Sequence, residues 1–314
     1  MKKFNGTWFE FHHHNTPEGV YWNPACADFT DEQWKIKVSE IASLGMKYIV
    51  LMCTALYDKA FFKTDIYDRF ALKASDPIGA LLTQADAEGI KVFMSAGFYG
   101  DWTHTTENMT SPEVTKRAFK AMEQLFALYG SHESFYGWYL PDEAWIGGTF
   151  DEDFIKYINL YTSYARTLNK GFKNLIAPYG TKDTTPNDRY VSQLERIDID
   201  FVAYQDEVGV QKSTPAQTPA FYEKLRIAHD KAGRSKLWAD MEIFEFEGAV
   251  YSSALIPAPI ERIKQQLVAI SDYVDEILVY QYLGIMNKPG TAAFCGHPAS
   301  EQYYSDYASF IKTF

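Results

Sequence analysis

Residues 30–52 read TDEQWKIKVSEIASLGMKYIVLM, and this stretch decides the fold. Thr30 is placed as a helix N-cap, with Gln33 three residues on as its capping-box partner, and Gly45 stops the helix. After the glycine and a lysine come Tyr48-Ile49-Val50-Leu51-Met52, an unbroken apolar run. A parallel strand covered on both faces has that character. The same junction recurs: GMKYIV at 45–50, GIKVFM at 89–94 and GFKNLI at 171–176 each set a glycine stop before a lysine or its equivalent and a strand.

Outward from these junctions, strands are predicted at 6–11, 48–53, 91–95, 135–140, 174–177, 200–204, 237–242 and 277–282. Helix starts fall between them. Ser75-Asp76-Pro77 opens a helix that Gly89 closes, and Ser111-Pro112-Glu113, Thr218-Pro219 and Pro259 repeat the start signal. Further helices are expected over 151–168, 186–196 and 300–312. Strands and helices alternate throughout, with no Pro-, Gly- or Ser-rich linker, as a single α/β domain over residues 1–314. That order is what a (β/α)8 TIM barrel requires. The competing topology, a doubly wound open sheet, usually carries a Gly-rich phosphate turn after its first strand. Here that position reads Glu10-Phe11-His12-His13-His14.

The composition narrows the function. The 314 residues hold 30 Lys+Arg against 41 Asp+Glu, a formal net charge of −11, which argues against a nucleic-acid partner. No apolar run approaches the roughly 20 residues that a membrane span needs. Three cysteines without a C-x-x-C pair fit neither a disulfide framework nor a cysteine zinc site. Met1-Lys2-Lys3-Phe4 leads into the first strand without the apolar core of a leader. The expectation is a cytoplasmic chain, or a periplasmic or cell-surface one whose leader has been removed.

Barrel enzymes keep their chemistry at the carboxyl ends of the strands. The fourth strand ends in Asp142-Glu143, the sixth in Tyr204-Gln205-Asp206-Glu207, and the seventh in Asp240-Met241-Glu242. Acids gathered over one mouth repel each other and lose solvent, so one carboxyl is held protonated while another stays ionised. Glycoside hydrolysis needs that division of labour. Strand parity puts Asp240 and Glu242 on one face. The competing reading of any single acid is a helix cap, since helix N-termini favour carboxylates whatever the function.

Glu143 and Glu242 are similar to the acid/base and nucleophile positions of the large retaining glycoside hydrolase clan built on this barrel. The phrases GWYLPDE, YQDEVG and WADMEIFE resemble a largely Bacteroidetes family of barrel proteins, of uncharacterised activity, classed with the glycoside hydrolases. The resemblance implies a glycosidase with an oligosaccharide or glycoside as its partner. The clan typically has Asn before the acid/base Glu, where this sequence has Asp142.

Around the pair, Asp142, Asp206, Asp240 and Tyr204 are expected to contact substrate or shape the pocket, Tyr204 by bonding the nucleophile. Trp102 and Trp145, with Trp22, are candidate stacking platforms in loops, while Trp8, Trp138 and Trp238 read as core. Tyr280, Gln281 and Tyr282 are candidates for the pocket floor. The triplet His12-His13-His14 contains a His-x-His pair, but no histidine sits at the ends of strands five and six to complete a metal site. A polar role in the cleft is expected instead, assigned to His12. No metal or cofactor is expected. Two other classes stay open: a carbohydrate-binding or catalytically degenerate barrel, and a metal-assisted lyase or isomerase using the acids.

Overall fold

The computed structural model describes residues 1–313. Eight parallel strands close into one barrel: β1 (Gly6–Phe9), β2 (Tyr48–Leu51), β3 (Lys91–Ser95), β4 (Phe135–Tyr139), β5 (Lys173–Ile176), β6 (Phe201–Gln205), β7 (Lys236–Glu242) and β8 (Glu276–Tyr280). Each strand pairs with its sequence neighbour, and β1 pairs with β8 to close the ring, Gly6 opposite Leu278. The (β/α)8 reading holds, and the open sheet is excluded because closure leaves no edge.

The outer layer consists of α1 (Asp31–Ser43), α2 (Pro77–Glu88), α3 (Pro112–Tyr129), α4 (Glu152–Leu168), α5 (Asp188–Arg196), α6 (Thr218–Ala232), α7 (Ile260–Ile270) and α8 (Ser300–Phe310). The start signals act as expected in most cases. Thr30 and Gln33 form a full capping box, and Asp76 and Ser111 accept from the backbone of the following turn. Two differ: Thr218 is already inside α6, and Asn187 caps α5, so that helix begins at Asp188 rather than at Pro186. Among the described residues no helix is long and apolar enough to cross a membrane.

The lower barrel is filled by aromatic rings. Phe201 and Trp238 stack at 4.1 Å, with Tyr48, Phe93 and Tyr136 packed around them. Above this layer Trp8 meets Tyr139 edge-on at 5.9 Å. Trp8, Trp138 and Trp238 are all buried, as core readings require. The fill forces any ligand to the upper mouth. Three features the sequence did not announce build that rim: a short helix Asn23–Ala27, a second at Thr105–Thr110, and an antiparallel hairpin of Phe244–Phe246 with Leu255–Pro257. The hairpin is tied to the loop after β1, where Leu255 N–H donates to the Glu18 carbonyl at 3.1 Å.

Candidate active site

A cavity of about 200 Å³ opens at the carboxyl end of the barrel. Glu143 from the end of β4, Gln205 from β6, Asp240 and Glu242 from β7 and Tyr280 from β8 line it. The register explains the grouping, since Asp240 lies opposite Gln205 and Glu242 opposite Tyr280. His14, Asn15, Glu18, Trp102, Phe244 and Tyr251 complete most of the wall.

Glu143 accepts from the Tyr139 hydroxyl at 2.9 Å and from Gln205 Nε2 at 2.7 Å. Burial pushes its carboxyl up to about 7, against the pull of those two donors. Glu242 accepts from Val210 N–H at 2.8 Å. Burial, then the neighbouring Asp206, moves its carboxyl upward as well. Asp240 is 3% exposed, and its Oδ1 has no hydrogen-bond partner among the described residues. Burial first, then Glu143, Glu242 and Asp206, drive Asp240 well above the carboxylate range. Three carboxyls therefore share one desolvated space and cannot all be charged near neutral pH. Asp240 lacks donors that favour its anion, whereas Glu242 has the Val210 amide. With no donor to favour its anion, Asp240 is the member held neutral by burial and its like-charged neighbours.

The other acids at the strand ends face away from the cavity. Asp206 is buried below the rim, accepting from Gln266 Nε2 at 2.7 Å and from the Glu242 amide at 3.1 Å. It braces β7 instead of contacting a substrate. Glu207 takes the amides of Gly180 and Thr181, both at 3.0 Å. Asp142, raised to about 6 by burial, turns toward the helical layer, where Asn108 Nδ2 donates to it at 3.0 Å and Tyr157 at 3.4 Å. The expected sugar contact from Asp142 has no counterpart in this geometry.

Four further expectations are corrected by side-chain direction. The Tyr204 hydroxyl lies 2.6 Å from that of Tyr190 and 2.9 Å from His229 Nε2, behind β6 and away from Glu242. Tyr282 is fully buried and donates to Glu40 at 2.7 Å, so Tyr280 alone of the strand-eight candidates lines the cavity. His12 packs on Phe70 at 5.0 Å, outside the cavity, and the histidine that lines it is His14. Trp145 is 55% exposed on the rim with its indole N–H on Asp183, while Trp102 lines the cavity and Trp22 is buried.

The sequence missed the arrangement around His13. Its Nδ1 lies 2.5 Å from Glu10 and its Nε2 2.9 Å from Glu18, which lines the cavity. Burial opposes charge on His13, but the two carboxylates outweigh it and raise the imidazole to about 9. Burial instead lowers His14, so that ring is neutral. Glu10, His13 and His14 bring potential ligand atoms within 4.8 Å of one another. Both His13 nitrogens are engaged by carboxylates in an ion-pair chain, while the buried Nδ1 of His14 and Oε2 of Glu10 have no hydrogen-bond partner among the described residues. Nothing in HHH distinguishes the three rings, and the Glu18 partner lies in a loop without a regular period.

The chain belongs to the family described as "Domain of unknown function (DUF4434)", whose model matches residues 4–293. No curated protein matches it. Among solved structures it is similar to a "putative alpha-L-fucosidase" from Bacteroides thetaiotaomicron VPI-5482, with a TM-score of 0.79 at 14% identity over 99% of this chain and 94% of that one. It is also similar to the endo-1,4-beta-mannanase from Rhizomucor miehei, with a TM-score of 0.60 at 10% identity over 99% and 95% of the two chains. The endo-beta-1,4-mannanase from Thermotoga petrophila gives a TM-score of 0.60 at 10% identity, over 99% and 77%. At these identities the likeness is one of fold.

Proposed function

We propose that this DUF4434 member is a glycoside hydrolase that works by a retaining, two-carboxylate mechanism. The observation that carries the reading is that Glu143 and Glu242, from strands β4 and β7, line one desolvated cavity. The solved structures it resembles are described as glycosidases, which supports the same reading.

Glu143, protonated up to about pH 7, gives its proton to the leaving oxygen as the glycosidic bond breaks. Glu242, which burial and Asp206 raise to about 8 against the pull of the Val210 amide, attacks the anomeric carbon once it has lost its proton and forms a glycosyl-enzyme ester. Glu143, now a carboxylate, takes a proton from water, which attacks the same carbon and releases Glu242. Protonated Asp240 between them donates to the substrate or to Glu242 and adds no charge. Trp102 and Tyr280 offer flat faces to the ring. The cavity falls below the roughly 300–1,000 Å³ of sites for drug-sized ligands, so it suits one sugar ring.

The test is the anomeric configuration of the first-formed product, followed by proton NMR on an aryl glycoside. Retention supports the pair as assigned, and inversion removes Glu242 as nucleophile. One observation favours a second reading, a binding barrel without turnover: Asp142 replaces the clan's Asn and faces the helices. Affinity for glycosides without product would select it.

A further inference from the structure

We propose that the cavity admits a sugar ring without negative charge, neutral or amine-bearing, gripped through Glu18, and rejects uronic acids. This rests on the hydrolase reading and narrows its substrate class.

The wall carries four carboxyl side chains, Glu18, Glu143, Asp240 and Glu242, and among the described residues lining it there is no lysine or arginine. Nearby cations are committed elsewhere. His13 sits behind Glu18, held at 2.5 Å by Glu10 and at 2.9 Å by Glu18 itself. Lys212 is paired with Glu207 at 3.5 Å, and Arg262 donates to the carbonyls of Glu242 and Phe244 at 3.0 and 2.6 Å. A substrate carboxylate would meet the charge of Glu18, and of Glu242 in its reactive anionic form, with no free counter-ion in the wall. At a separation of about 6 Å and an effective dielectric of about 20, that repulsion weakens binding by about 100-fold.

Hydroxyl and ammonium groups meet the opposite situation, because a carboxylate accepts through both oxygens and a protonated carboxyl still accepts through its carbonyl oxygen. The Oδ1 of Asp240 is buried, lines the cavity and has no partner of its own. Glu18 is already oriented: Asn15 Nδ2 donates to Oε1 at 2.6 Å, and His13 holds Oε2. Each of its oxygens keeps a lone pair for a substrate donor. Glu10 and His13 touch no substrate and act as positioning residues through Glu18.

The experiment uses matched 4-nitrophenyl glycosides with the full chain: glucoside against glucuronide, galactoside against galacturonide in both anomers, and the 2-amino-2-deoxyglucoside. Binding of the same compounds to Glu242→Gln is followed in parallel by saturation-transfer NMR. At least one neutral or amino glycoside is expected to bind, with its matched uronide about 100-fold weaker. Glu18→Gln is expected to raise KM about tenfold with kcat within about threefold. It should also narrow the neutral-to-uronide gap to about tenfold, which a merely structural residue would not do. A uronide that binds as well as its neutral partner overturns the proposal, as does a panel in which nothing binds. An unchanged gap in Glu18→Gln overturns the role of Glu18. Selective binding with no turnover by the wild type supports the selectivity while sinking the hydrolase reading.

Discussion

The carboxylate of Glu242 is met by the backbone of Val210, whose N–H donates to Oε2 at 2.8 Å. The approach depends on Gly209, where a Cβ would lie 3.0 Å from both Cβ and Oε2 of Glu242 and 2.9 Å from the Phe244 carbonyl. A backbone donor placed this way favours the anion of one member in a cluster that burial pushes toward neutrality. It distinguishes Glu242 from Asp240, two residues earlier on the same strand face.

Glu242→Gln is therefore expected to lower turnover more than about 10⁴-fold, the scale for loss of a nucleophile. Its melting temperature should be unchanged or higher, because one buried carboxyl leaves a repulsive cluster. Glu143→Gln should cost about 10²–10⁴-fold, the range for a general acid, and less on substrates with acidic leaving groups. Steady-state kinetics on 4-nitrophenyl and alkyl glycosides check both, and a fully active Glu242→Gln would end the assignment.

Glu143 must be protonated to act first, and its carboxyl is raised to about 7. Activity should accordingly fall on the basic side with a midpoint near pH 7. Gln205 donates to the Glu143 carboxylate at 2.7 Å and so favours its charged form. Gln205→Leu removes that donor and should move the basic limb upward by about half to one pH unit. A pH profile of kcat/KM that stays fixed, or moves down, would contradict the acid role.

Asp240 sets a stability slope. Its folded value stands well above the ordinary 3.8, so the native state holds a proton that the unfolded chain has lost. The stabilisation is complete below about pH 4 and is lost as pH rises toward the elevated folded value. Asp240→Asn should flatten the decline in melting temperature between pH 5 and 8, measured by calorimetry in matched buffers.

His13 gives a slope of the same sign in a different window. Its value rises from 6.5 to about 9, so its contribution is whole below pH 6.5 and vanishes as pH passes about 9. Removing the ring leaves Glu10 and Glu18 uncompensated in a buried setting. His13→Gln should then cost about 3–5 kcal/mol, the scale for breaking a buried ion pair. Urea unfolding of both proteins at pH 6 and pH 10 reads this directly, since the gap should shrink at the higher pH.

The two loop tryptophans should separate. Trp102 lines the cavity, and Trp102→Ala is expected to raise KM about fivefold, in keeping with roughly 1 kcal/mol for an aromatic contact. Trp145 stands 55% exposed on the rim, and Trp145→Ala should change kcat/KM by less than about twofold. Equal effects would mean that the rim holds a second sugar.

The amino-acid order alone was enough for the barrel, the helix starts at Thr30, Asp76 and Ser111, and the gathering of acids at strand ends four, six and seven. Caps, glycine stops and apolar runs act over a few neighbouring residues, so their meaning survives without a tertiary context. Direction was another matter. Strand β6 runs from Phe201 to Gln205, one residue later than 200–204, and a pleat alternates faces. Gln205 therefore enters the cavity, while Tyr204 and Asp206 point behind it. Beyond the ends of β4 and β8 the pleat stops, so parity could not foretell that Glu143 would face inward or that Asp142 and Tyr282 would turn to the helices. Closure of the ring and the packing of its loops made those choices, including the choice of His14 over His12, because only there do residues hundreds of positions apart compete for the same space.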